Sequence, residues 1–317
     1  MENSKMTLKR SGAKALSWLK ISRLHFYPLP LIVYSLGAAA AQSMYQKFNL
    51  GIYVLGYVFI FLVELCSVLT NEYFDYKTDA QNKNQGPFNG GSRVLVEGRL
   101  EFREVRAAIV FLLLLIFGTG YVLFKISSDV QPLLMVSLLL FGPFLGLGYT
   151  LPPLKFSYRG IGEILVAVTF STYLILCGFT FQSGAWKDPW PWLISLPLFF
   201  VIFSAITLSG VPDYLADRAA QKRTLAVIFG QRSAIILCAA SISAAAFSWI
   251  ALYYFKILKG WPVVSIFFVL VHASLLLILL IKLIRSDHFD RKINREMVLT
   301  LSYMLWFGLI PFLSLIV

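Results

Sequence analysis

Charge is what this chain has least of. Only 14% of its 317 residues are Asp, Glu, Lys or Arg, while 58% are apolar. A typical soluble domain carries roughly a quarter charged residues. That deficit excludes a soluble globular protein, a disordered tail, a coiled coil and a collagen, and it makes a lipid bilayer the expected solvent. Cysteine is also scarce: Cys66, Cys177 and Cys238 stand alone in apolar stretches. That excludes a disulfide framework or a cysteine metal site and leaves small buried hydrophobes. Histidine occurs three times, as His25, His272 and His288, with no partner pattern for zinc or for a Ser–His–Asp triad. There is no phosphate-binding loop of the Gly-x-x-x-x-Gly-Lys type.

What is present is a series of charge-poor runs long enough to cross about 30 Å of hydrocarbon. Nine are read: 26–46, 50–71, 107–124, 132–154, 164–186, 189–212, 233–255, 260–281 and 297–317. The expected fold is an all-α polytopic membrane protein, a single domain over residues 1–317 with polar loops capping one side. Residues 1–25 show no cleavable-signal pattern, and Lys14, Leu16, Trp18, Leu19, Lys20 and Arg23 suit an interfacial helix.

The basic residues predict orientation. Of 28 Lys and Arg, 23 fall in the N-terminal segment and the loops after spans 2, 4, 6 and 8; Lys47, Lys125, Lys187, Lys256 and Lys259 are the other five. By the positive-inside rule the N-terminus is cytoplasmic and the number of spans is odd. The formal charge of +12 is then an orientation signal that calls for no nucleic acid. Thirteen of the sixteen acids follow the same side, so any chemistry is expected at the cytoplasmic face.

Two acidic clusters stand out there. Asn71, Asp75 and Asp79 close span 2 at i, i+4, i+8, a spacing that stacks them along one helix face. Ser209, Asp213 and Asp217 close span 6 in the same register, with Tyr76 and Tyr214 matching and an Arg-x-Leu following each, at Arg93 and Arg223. Four spans separate the clusters, which points to two four-helix repeats plus a ninth helix. Acids at i, i+4 repel one another, so a cation must compensate. Hard oxygen ligands facing a cavity suit Mg²⁺, which takes one or two carboxylates and fills its remaining positions with water and phosphate. Two clusters fit two Mg²⁺ on one diphosphate.

Lys222 and Arg223, Arg93 after the Gly90-Gly91-Ser92 turn, and Lys155 and Arg159 in the loop 151–160 are candidate groups for the remaining phosphate oxygens. The alternative reading of each is a positive-inside marker. Glu64 shares the face of Asn71 and Asp75 inside a span; it reads either as a functional acid or as a buried structural one. His272 reads as an interhelical hydrogen-bonding group. A membrane transporter is the alternative from another class, although carriers usually hold their coupling sites at mid-membrane, where only Glu64 lies.

At these residues the sequence resembles the UbiA superfamily of intramembrane aromatic prenyltransferases. The resemblance covers nearly the whole chain and rests on N-x-x-x-D-x-x-x-D at Asn71, Asp75 and Asp79 and on D-x-x-x-D at Asp213 and Asp217. Where many members carry Asn or Asp four residues before the second pair, this chain has Ser209. The phrase DRAAQKRTLAV from Asp217 is also typical of the family and implies Lys222 as a diphosphate ligand. The stretch YTLPPLKFSYRGIGEIL from Tyr149 to Leu165 is similar to the 1,4-dihydroxy-2-naphthoate prenyltransferases, and Arg23 is similar in place to an arginine of that subgroup. The resemblance implies nine transmembrane helices, Mg²⁺, a polyprenyl diphosphate and an aromatic acceptor such as 1,4-dihydroxy-2-naphthoate. Members acting on 4-hydroxybenzoate or homogentisate share the same motifs.

Overall fold

The computed structural model describes residues 2–258, 260, 262–286, 289 and 293–316; His288 and Lys259 lie outside them. Fourteen α-helices follow one another with no strand among the described residues: α1 Glu2–Ile21, α2 Pro28–Tyr45, α3 Leu50–Phe74, α4 Tyr76–Gln81, α5 Phe102–Ile126, α6 Pro132–Gly148, α7 Gly162–Val168, α8 Leu174–Ser183, α9 Pro189–Ser209, α10 Tyr214–Ala219, α11 Leu225–Phe229, α12 Gln231–Tyr254, α13 Pro262–Ser286 and α14 Asn294–Ile316.

Eight helical stretches among the described residues are long and apolar enough to span a bilayer, so this is an integral membrane protein. The remaining apolar run, expected over 132–154, yields the 17-residue helix α6. The last residues of that run are apolar but do not extend the helix. They form a turn instead, because Pro152 and Pro153 offer no backbone N–H and disfavour helix in the residue before them. The run expected over 164–186 is a helix from Gly162 to Ser183, but residues Thr169–Tyr173 within it wind as a π turn that hydropathy does not reveal.

The helix starts follow local chemistry. Asn49 caps α3 by accepting from the Ile52 N–H at 3.1 Å, and Asp188 caps α9 through the Trp190 N–H at 2.8 Å with Pro189 next in line. Glu101 and Glu104 form a reciprocal capping box on α5.

Packing relies on small residues, as expected where lipid supplies no hydrophobic drive between helices. Gly37 of α2 and Gly178 of α8 face each other. A Cβ at Gly37 would sit 2.2 Å from the Ile175 carbonyl oxygen, and one at Gly178 would sit 2.0 Å from that of Tyr34. All three cysteines are buried thiols. His272 bonds the Leu299 carbonyl at 2.9 Å and accepts from the Trp306 indole at 3.2 Å, tying α13 to α14 as its position predicted.

Polar contacts tie loops together at each end of the bundle. Loops assigned to one side meet one another: Lys47 pairs with Asp129 at 2.7 Å, and Tyr45 donates to Asp188 at 2.9 Å. At the other end α1 pairs Lys14 with Glu104 and Lys20 with Glu97, while Leu16 and Leu19 stay exposed on its outer face.

Candidate active site

The acidic clusters do not lie on unbroken helices. α3 ends at Phe74 and α4 starts at Tyr76, so Asp75 occupies the break with φ −88° and ψ 4°. α9 ends at Ser209 and α10 starts at Tyr214, and Asp213 takes φ −84° and ψ −3° in the same role. Asn71, Asp75 and Asp79 therefore do not form one continuous helical face, which corrects the expectation from their spacing. The cause is visible in each motif. Pro212 removes an N–H from the second, while in the first the buried Asp75 turns its oxygens to side chains from three directions. The register match nevertheless holds. Each break is followed by a six-residue helix opening on tyrosine, and the Asp79 and Asp217 amides donate 2.9 Å bonds to the Asp75 and Asp213 carbonyls.

The short helices α4 and α10 pack against each other, and bonds cross between the clusters. Asp75 is buried and accepts from Lys222 Nζ at 3.0 Å, Asn71 Nδ2 at 3.0 Å and the Tyr158 hydroxyl at 2.8 Å. Asp213 Oδ1 accepts from Asn82 Nδ2 at 2.7 Å and Asn89 Nδ2 at 2.5 Å. Gly91 closes tightly over Asp79: a Cβ there would lie 2.1 Å from Oδ2, and its φ of +72° already favours glycine.

Crowding sets the protonation of this mouth. Burial pushes the Asp79 carboxyl up to about 7, with Glu72 and Asp75 adding repulsion. Burial also raises Asp217 to about 7, against the opposing pull of Lys222, and it raises Asp213. Burial disfavours a charged Lys222, but Asp75 and Asp217 outweigh it and hold its ammonium well above the usual range. Tyr158, pushed up to about 12 by burial and by Asp75, stays a hydrogen-bond donor. The Lys155 and Lys222 ammonium groups lie 4.9 and 5.6 Å from its ring centre.

Other expected residues divide into two groups. Arg93 donates to the Asp79 carbonyl at 3.0 Å, and Tyr149 lies close enough to Lys222, Asp75 and Asp217 to feel their charges. Arg23 pairs with the buried Glu72 at 2.7 Å. Arg159 and Arg223 are exposed, and Arg159 donates to the Pro153 carbonyl at 2.7 Å. The Gly90-Gly91-Ser92 turn does present an N–H to an anion, but the anion is Glu72, which takes the Ser92 amide at 2.7 Å and its hydroxyl at 2.5 Å. The Ser209 hydroxyl turns back to the Ile206 carbonyl at 2.8 Å, away from the acids. Sequence reading passed over Tyr158, Asn82, Asn89 and Glu72. The one available signal was that Asn82, Asn84 and Asn89 crowd the loop directly after the acids, where amide donors suit carboxylates.

Below the acids lies a cavity of about 300 Å³. Arg23, Asn71, Tyr149 and Ser209 line it together with largely apolar residues from α2, α3, α6, α7, α9 and α14 and from the π turn. Glu64 lines it as well. No three described His, Cys, Asp or Glu side chains are gathered tightly enough to cage a metal unaided. The donors offered are hard oxygens, carboxylates and the Asn71 amide. That fits Mg²⁺, which completes its shell with water and substrate phosphate.

The UbiA prenyltransferase family model matches residues 31–309. The chain is 25% identical over 234 residues to the 1,4-dihydroxy-2-naphthoate octaprenyltransferase of Bacillus subtilis, covering 73% of this chain and 71% of that one. It is 25% identical to the 2-carboxy-1,4-naphthoquinone phytyltransferase of Synechocystis, covering 73% and 72% respectively. Among solved structures, a UbiA homolog from Archaeoglobus fulgidus bound to GPP and Mg²⁺ aligns with TM-score 0.58 at 18% identity, over 95% of this chain and 100% of that one.

Proposed function

The chain belongs to the UbiA prenyltransferase family, and on that premise we propose that it transfers a polyprenyl group from a polyprenyl diphosphate to an aromatic acceptor within the membrane. The acceptor that fits best is 1,4-dihydroxy-2-naphthoate, the substrate in the name of the Bacillus subtilis relative. The whole of 1–317 acts as one membrane domain in the cell membrane. The N-terminus and the acids face the cytoplasm, as the 23 basic residues on that side favour.

The observation that carries this reading is the meeting of the two acidic helix breaks above an apolar cavity, with Lys222 of the second bonded to Asp75 of the first. Asn71, Asp75, Asp79, Asp213 and Asp217 would hold Mg²⁺, two ions on this reading, which supplies positive charge to the departing diphosphate. Lys222, Lys155 and Arg93 share the anionic load, with Arg223 and Arg159 at the rim. Tyr158 orients Asp75 and screens the two lysines. The prenyl C1–O bond breaks with its electron pair on the diphosphate, and the ring attacks the allylic cation. With the naphthoate, CO₂ leaves and its bonding pair returns to the ring. Apolar walls exclude water from the cation. The test is product mass spectrometry, with a panel of acceptors, one long prenyl diphosphate and Mg²⁺. Prenylated naphthoquinol is expected, and absence of any Mg²⁺-dependent prenylation rejects the proposal.

A further inference from the structure

One stripe of α3 lines the cavity: Ile60, Val63, Glu64, Ser67, Val68 and Asn71, spaced at i, i+3, i+4, i+7, i+8 and i+11. Its polar members are not alike. Ser67 donates to the Gly146 carbonyl at 2.7 Å and Asn71 donates to Asp75. Among the described residues Glu64 makes no hydrogen bond or ion pair; the phenols of Tyr27 and Tyr57 feel its charge but neither bonds it. In hydrocarbon a lone carboxylate costs about 2.5–3.5 kcal/mol. A structural acid would recover that through a neighbouring helix, and this one turns into the cavity instead.

We propose that Glu64 anchors the acceptor, a dihydroxy aromatic, by accepting a hydrogen bond from the ring hydroxyl remote from the prenylated edge. The proposal rests on the prenyltransferase reading and adds to it a place for each substrate. Seven residues separate Glu64 from Asn71, about 10 Å along a helix axis, which is room for one fused aromatic ring beneath the diphosphate. Across the cavity α9 presents Ile202, Ala205 and Ile206, a wall suited to the prenyl chain.

The test uses the full chain in detergent and two probes, 1,4-dihydroxy-2-naphthoate and 1-hydroxy-2-naphthoate, whose dissociation constants are read by equilibrium dialysis. Wild type should bind the dihydroxy probe about tenfold more tightly, the worth of one well-made hydrogen bond. Glu64→Leu should abolish that preference, and Glu64→Gln, whose amide oxygen still accepts, should keep part of it. Geranylgeranyl diphosphate affinity should stay within about twofold in both variants, a change as small as substitutions away from a contact produce. An unchanged preference in Glu64→Leu overturns the proposal, and so does wild-type indifference to the 4-hydroxyl. Failure of the broader reading looks different: naphthoates still bind with this preference, but no Mg²⁺-dependent diphosphate release follows.

Discussion

The helix pair α3–α4 and the pair α9–α10 carry matching motifs, and their differences show how the site divides its labour. At the breaks the two agree: Asp75 and Asp213 share a backbone conformation, and Asp79 and Asp217 follow one turn later. Below the breaks they part. In register, Glu64, Ser67 and Asn71 face Ile202, Ala205 and Ser209 from the opposite wall. Duplicated chemistry at the top suits a symmetric ligand such as a diphosphate. Unlike walls beneath suit two unlike organic partners.

The largest effects test the shared part. Asp75→Ala and Asp213→Ala should each lower kcat/KM by about a thousandfold or more, as loss of a preorganised charge-stabilising group does. Asp75→Ala should be the more severe, because it also strands the Lys222 ammonium. Steady-state diphosphate release with Mg²⁺ present measures both.

Next comes a residue present on one side only. Glu72 aligns with Gly210, and in the first motif it joins Arg23 to the Ser92 turn. Glu72→Ala leaves a half-buried guanidinium unpaired, which costs on the order of 3 kcal/mol. The apparent Tm in detergent should fall, while Gly210→Ala should change it far less.

The acids of the two short helices should respond to pH together. Asp79 and Asp217 sit near 7 against an ordinary 3.8, so the folded metal-free protein binds more protons than the unfolded chain between those values. Stability contributed by these groups is full below about pH 4 and is lost as pH rises through about 7. Mg²⁺ competes with those protons. It should raise the apparent Tm strongly at pH 8 and little at pH 5, and an equal rise at both would break the pairing of the two acids.

A smaller effect comes from making the walls alike. Glu64→Ile removes an acid that has no hydrogen-bond partner among the described residues and should stabilise the protein by about 2 kcal/mol, read as a raised Tm, while weakening acceptor binding. The smallest effect should come from Ser209→Asn, which completes the second motif. The Ser209 hydroxyl already serves the Ile206 carbonyl, so diphosphate release should change by no more than about threefold.

Much of this was legible in the chain itself. Hydropathy located the spans because the bilayer core rewards one simple property over about twenty residues. Alternating spans put loops such as those of Lys47 and Asp129 at one end, where they meet. Periodicity missed the helix break at Asp75, whose carboxylate is held by Lys222 and Tyr158 from elsewhere in the chain, and it missed the π turn at Thr169–Tyr173. Tyr158 is 83 residues from the Asp75 it bonds.

Composition and spacing by themselves determined a membrane-embedded helical protein with two acid motifs in register, since those features are written in local order. Only the tertiary fold decided that the motifs meet, that Lys222 neutralises Asp75, that the Gly90-Gly91-Ser92 turn serves Glu72, and that Glu64 faces a cavity. Electrostatic interaction depends on distance through space, and distance along the chain carries almost no information about it.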